Sequence, residues 1–152
     1  MPSLPLNELA VPQAGPGGLR VGLDLVDTRR IRESIDRFGS RFVQRLFTEG
    51  EIAGARRGAS SWCAENLAAR FAAKEAAIKA FDLTEAGVGW RDIEVRKLPG
   101  GACRLALHGT AAAQAAALGV SDIALSLSHD GDYAGAVVTA WCGAPHQPSV
   151  AA

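Results

Sequence analysis

The sequence carries no surplus of either charge: sixteen Lys and Arg stand against sixteen Asp and Glu in 152 residues. Nothing in the overall field therefore argues for nucleic acid or an anionic membrane surface, and a charge-driven partner must be met by a local patch. Cysteine is scarce as well. Cys63, Cys103 and Cys142 are odd in number and far apart, which suits reduced thiols better than a disulfide framework or a zinc site. No run approaches the roughly 18 apolar residues of a membrane span. Residues 1–18 have neither a basic n-region nor an apolar h-region, so a cytoplasmic protein is expected.

What is present suffices for one core, since 48% of residues are apolar and 21% charged, the composition of a single globular domain. Four prolines and three glycines in residues 1–18 read as a flexible N-terminal arm. Pro145 and Pro148 mark a flexible C-terminal tail over 142–152, leaving 19–141 as the ordered domain.

Within the domain, Leu19–Leu25 alternates Val21, Leu23 and Leu25 against Gly22 and Asp24, the pattern of a strand. From Thr28 the period becomes helical, with Ile31, Ile35, Phe38, Phe42 and Leu46 as one apolar stripe and Gly39 as a break. Thr48 and Glu51 are spaced as a capping box. Leu67, Phe71, Ile78 and Phe81 predict a helix from about Ser61 to Phe81. Strands follow near Ile93–Lys97 and Arg104–Leu107, then an alanine-rich helix capped at Thr110 and ending at Gly119, then a hairpin of Asp122–His129 and Tyr133–Trp141 around Asp130-Gly131-Asp132. The sum is an α+β domain, an antiparallel sheet packed on helices.

Five features bear on chemistry. Asp24 sits late in the first strand, where a carboxylate can hold a hard cation, face solvent or merely cap the next helix. Lys74 falls inside the Leu67/Phe71/Ile78 stripe, which puts an ammonium against the core unless something anionic meets it. Glu75 flanks that stripe with Lys79 one turn on; read blandly, they are an i,i+4 surface pair. His129 closes the series Ile123, Leu125, Leu127 at the sheet rim, as a structural or a reacting group. Arg30, Arg37, Arg41 and Arg45 form a basic stripe beside the apolar one, either a solvated face or a dock for an acidic partner.

Gly22-Leu23-Asp24-Leu25-Val26-Asp27, Arg41-Phe42 with Phe47-Thr48, Arg70-Phe71-Ala72-Ala73-Lys74-Glu75-Ala76 with Lys79-Ala80-Phe81, Asp92-Ile93-Glu94-Val95 and Ser128-His129-Asp130 stand in an order that resembles the small holo-acyl-carrier-protein synthases. The resemblance implies a phosphopantetheinyl transferase fold and transfer of 4′-phosphopantetheine from coenzyme A to a serine of an apo acyl or peptidyl carrier protein, in fatty-acid, polyketide or peptide synthesis. The released product is adenosine 3′,5′-bisphosphate. It also implies a homotrimer with interfacial active sites. By the same analogy Asp24 and Glu75 hold Mg²⁺, while Arg70, Lys74, Lys79 and His129 meet the coenzyme's phosphates. Arg30, Arg37, Arg41 and Arg45 would dock the acidic helix of the acyl carrier protein, and Glu75 or His129 would take the serine proton. The turn Pro99-Gly100-Gly101-Ala102 lacks the lysine and proline usual there. The competing reading is a carrier-binding module of this fold without turnover.

Overall fold

The computed structural model describes residues 18–143, so the arm and tail expected at the ends lie, Gly18, Cys142 and Gly143 apart, outside the described residues. Strand β1 (Leu19–Asp27) leads into helices α1 (Thr28–Phe38), α2 (Ser40–Leu46) and α3 (Glu49–Ala55). Asp27 caps α1 by accepting from the Arg29 amide at 3.0 Å. Gly39, at φ +57°, separates α1 from α2 as its sequence position predicts. The Thr48–Glu51 capping box forms: the Thr48 amide donates to the Glu51 carboxylate at 2.9 Å and the Glu51 amide to the Thr48 hydroxyl at 3.3 Å.

The next helix departs from expectation at its start. Ser61–Trp62 (β3) pairs with Arg56–Gly58 (β2) as a small ribbon, so α4 begins at Ala64 and runs to Ala80. A 3₁₀ turn, Trp90–Asp92, precedes the hairpin of β4 (Ile93–Lys97) and β5 (Cys103–Leu107). Helix α5 spans Gly109–Ala117 with His108 in the cap position. Thr110, expected as the N-cap, is thus inside the helix, two residues past the cap. Strands β6 (Val120–Asp130) and β7 (Tyr133–Cys142) close the chain, and β7 carries the ordered domain one residue beyond Trp141.

Strands β1, β7 and β6 form one antiparallel sheet in that order. Its inner face is built from small residues, Gly22, Ala134, Ala136 and Ala140 with Val138, and the alanines of α4 lie against it. Small side chains on both surfaces let helix and sheet approach closely. A Cβ added at Gly22 would stand 1.8 Å from the Ala76 carbonyl oxygen, so only glycine fits there. The strand alternation therefore faces opposite to a core strand: Leu19, Val21, Leu23 and Leu25 are each more than half exposed. Phe38, expected in the apolar stripe of the first helix, is 53% exposed, because the chain breaks at Gly39 before α2 packs Val43 and Leu46 inward.

Candidate active site

Close packing at Gly22 brings the end of β1 to the last turns of α4. Lys79 reaches back across that contact, its ammonium donating to the Leu23 carbonyl and to the Asp24 carboxylate, both at 2.9 Å. Two of its three N–H donors are used, so one remains for a ligand. Glu75 lies one turn earlier on α4 and is half-buried. Burial pushes its carboxyl upward, the nearby Asp24 charge adds to this, and Lys79 opposes it. A carboxylate whose ionisation is disfavoured by a second carboxylate close by suits a divalent cation.

Asp24 and Glu75, with Arg30 and Phe71, line a cavity of about 340 Å³. Glu75 also borders a second cavity of about 390 Å³ with Lys79, Thr84 and Trp90, so the two form a groove with Glu75 between them. Trp90 is tilted against Phe71, ring centroids 5.2 Å apart, and supports that wall. Among the described residues no group of three or more His, Cys, Asp or Glu gathers around one point. A two-carboxylate donor set fits Mg²⁺, which keeps waters and takes further oxygens from substrate phosphates.

Lys74 lies in the core and meets an anion, as its place on the apolar stripe requires. It is fully buried, and its three donors go to the Glu51 carboxylate at 2.9 Å, the Trp90 carbonyl at 3.0 Å and the Ile93 carbonyl. The anion that a lysine on the apolar stripe requires is Glu51, not a coenzyme phosphate; with every N–H taken, Lys74 offers none to a ligand. Helical spacing could locate the misplaced charge but not its partner 23 residues away.

Arg70 and His129 come together, at a distinct place. With Arg57, Lys97 and Gly101 they line a cavity of about 430 Å³ that shares no residue with the Asp24 cavity. Arg70 is nearly buried, and its guanidinium donates only to Asn66. Among the described residues it has no carboxylate within ion-pair distance, and its Nε has no partner. Burial pushes its pKa down, with Glu51 opposing. A buried guanidinium short of acceptors beside three further basic side chains is a ready anion site. Arg57 and Lys97 escaped the sequence reading because no periodicity links the short strands β2 and β4 to α4. The Pro99–Ala102 turn closes with the Leu98 amide on the Ala102 carbonyl at 2.7 Å, and Lys97 at its base supplies a cation that the turn itself lacks.

Arg30, Arg37, Arg41 and Arg45 are all exposed on α1 and α2. Their neighbours Arg29 and Arg32 are tied to Asp27 and Glu65 at 2.8 and 2.7 Å. Among the described residues, none of the four in the stripe has a carboxylate within 4.0 Å.

A family model described as the 4′-phosphopantetheinyl transferase superfamily matches residues 20–138. The chain is 49% identical over 109 residues to the Holo-[acyl-carrier-protein] synthase of Solibacter usitatus, covering 71% of this chain and 86% of that one. It is 46% identical over 121 residues to the protein of the same name from Koribacter versatilis, covering 79% and 95%. Among solved structures, an ACPS–CoA complex from Chronobacterium ammoniagenes superposes with a TM-score of 0.70 at 35% identity, covering 84% of this chain and 99% of that one.

Proposed function

The chain belongs to the 4′-phosphopantetheinyl transferase superfamily and is a holo-acyl-carrier-protein synthase, and from that premise we propose that it moves 4′-phosphopantetheine from coenzyme A to a carrier serine with Mg²⁺ and releases adenosine 3′,5′-bisphosphate. The observation that carries this reading is the convergence of Asp24, Glu75 and Lys79 on one groove, two carboxylates and a cation with a free donor.

Asp24 and Glu75 would hold the Mg²⁺, which when bound neutralises charge on the pyrophosphate. Lys79 turns its remaining N–H to a phosphate oxygen, and Arg70 with His129 receives a further phosphate of the nucleotide end. The serine Oγ bonds to the phosphorus that bears pantetheine, the bond from that phosphorus to the bridging oxygen breaks, and the bisphosphate leaves with the electron pair. Glu75 takes the hydroxyl proton, directly or through water. It lies in the groove with Asp24, whereas His129 opens on the other cavity.

That separation of Arg70 and His129 from Glu75 within one chain supports a trimer in which sites form between protomers. So does the outward sheet face, where Leu23 and Leu25 of β1 adjoin Val137 and, at the edges, Leu19 and Trp141 pair in register, all exposed. An apolar face of this kind marks an interface. The unpaired Arg30, Arg37, Arg41 and Arg45 would dock the acidic helix of the carrier protein, whose pathway is one of fatty-acid, polyketide or peptide synthesis.

Incubation of an apo carrier with coenzyme A and Mg²⁺ should raise the carrier's mass by one phosphopantetheinyl group. Glu75→Ala should abolish the increase while the protein remains folded. Binding of carriers without any mass change would favour the module that docks and does not turn over.

A further inference from the structure

The cavity of Arg70 and His129 also carries two thiols, Cys63 and Cys103, for which the transfer reaction has no use. Cys63 is the N-cap residue of α4, and its side chain makes no cap bond. Its backbone is held where the β2–β3 ribbon meets the helix, the Cys63 amide donating to the Ala55 carbonyl at 2.8 Å. The Arg57 guanidinium donates to the Cys63 Sγ at 3.2 Å, and the thiol donates to the Glu65 carboxylate at 3.3 Å. Glu65 is itself tied to Arg32 at 2.7 Å. A guanidinium on the sulfur, a carboxylate to take its proton and the amide end of a helix are surroundings in which cysteine reacts as thiolate.

The rest of the cavity selects what reaches that sulfur. Arg70 is 5% exposed and its Nε has no partner among the described residues, so the wall holds a buried cation short of acceptors. Arg57 and Lys97 add to its charge, against the single carboxylate of Glu65. A cleft of this kind concentrates anions. Cys103 shares the cavity from β5 but has no guanidinium on its sulfur among the described residues. Cys142 is 4% exposed and lies outside the cavity.

We propose that Cys63 is a site of reversible thiolation by small anionic disulfides, those that carry carboxylates or phosphates beside the sulfur pair. The Cys63 thiolate attacks one sulfur of the disulfide. A bond from Sγ to that sulfur forms, the S–S bond of the disulfide breaks, and the departing half leaves with the electron pair. The proton that Cys63 gave to Glu65 goes to the departing sulfur, so Cys63 is oxidised, the departing half is reduced, and one free thiol is released. The adduct fills the cavity that receives the nucleotide end of the coenzyme, so thiolation stops transfer. That consequence rests on the transferase reading above; the adduct itself does not.

The test is mass spectrometry with peptide mapping after the full chain has met glutathione disulfide, coenzyme A disulfide or the cationic cystamine, each rate being divided by that for free cysteine. One adduct should form, on Cys63. Both anionic disulfides should outrun cystamine by about tenfold or more at low salt, the scale of electrostatic focusing in a charged cleft, and the faster of the two identifies the donor. The gap should narrow in high salt, and Arg57→Ala should lose most of it. Serine is itself a preferred N-cap, so Cys63→Ser should fold, take no adduct, and transfer as the unmodified chain does both before and after treatment. The thiolated unmodified chain should stop until dithiothreitol releases it. Adducts on Cys103 or Cys142 with Cys63 untouched, or a cystamine rate equal to the anionic ones, would overturn the site. A chain thiolated at Cys63 that still transfers at full rate would overturn the blockade. If the unmodified chain transfers to no carrier, the transferase reading fails, while the adduct on Cys63 and its charge preference, both read by mass, still decide the thiolation.

Discussion

Lys74 and Glu51 meet at 2.9 Å with neither side chain reached by solvent. Two charges removed from water are costly unless every remaining donor and acceptor is met, and here they are. Glu51 also accepts from the Thr48 amide and, at 2.9 Å, from the Val95 amide. Lys74 completes its set on the Trp90 and Ile93 carbonyls. Burial pushes the Lys74 pKa down and Glu51 pulls it back. The pair thus joins α3, α4, β4 and the turn at Trp90, which forms a wall of the groove beside Glu75.

Lys74→Met should destabilise the protein by about 3 kcal/mol, near the low end for breaking a buried pair, because Glu51 keeps two amide donors. Urea unfolding measures it. Transfer per folded molecule should stay within an order of magnitude. Lys79→Met should do the reverse: less than about 1 kcal/mol of stability lost from an exposed pair, and on the order of 100-fold in transfer. A folded but inactive Lys74→Met chain would return Lys74 to the phosphates.

A pH dependence follows from Glu94. Burial raises its pKa, but the hydrogen bond with His108 at 2.8 Å and those from Arg96 and Thr48 outweigh burial and leave it lowered. A lowered carboxylate stabilises the fold above its unfolded value, 4.5, and the contribution is lost as pH falls through the folded value. Glu94→Gln should cost about 1 kcal/mol at neutral pH. The gap should close in acid, as thermal melts at a series of pH values would reveal.

Much of this was legible in the sequence, for local reasons. The capping box at Thr48, the break at Gly39 and the hairpin about Gly131 are set by residues a few positions apart, and they fold as read. The carboxylates proposed to hold the metal were weaker: Glu75 and Lys79 share a helix, yet only the β1–α4 contact brings Asp24 to them. Lys74 shows the limit of pattern, because periodicity located a charge in the core and gave no way to find Glu51 on α3, beyond the β2–β3 ribbon. The outward apolar face of β1 was hidden differently. Alternation fixes which residues share a face, but not whether that face meets the helix or another chain.

Gly22→Ala tests the β1–α4 contact. A Cβ there would press on the Ala76 carbonyl oxygen at 1.8 Å, with two more backbone atoms within 3.0 Å, and backbone cannot yield as a side-chain tip can. The strand must shift off the helix, at roughly 3 kcal/mol or more. Asp24 is two residues away, so transfer should fall even where the variant stays folded. A variant with wild-type melting and turnover would mean that strand and helix are further apart than described.

The apolar sheet face makes the strongest demand on assembly. Val21 is 62% exposed in the single chain, so Val21→Asp should change the stability of an isolated protomer by no more than about 0.5 kcal/mol. In a closed trimer the same carboxylate would be buried without a partner, so sedimentation should find the variant monomeric at concentrations where the unmodified chain is not. On the proposed interfacial sites, loss of the trimer should carry loss of transfer, because Arg70 and His129 of one protomer would then no longer face Glu75 of the next. Mixing separates this from simple instability. Glu75→Ala and His129→Ala chains, each inactive alone, should regain part of the activity when unfolded and refolded together, since some interfaces then combine an intact Glu75 with an intact His129. If the mixture stays as inactive as its components while forming trimers, each site is complete within one chain, and the two cavities must work together across the body of a single protomer.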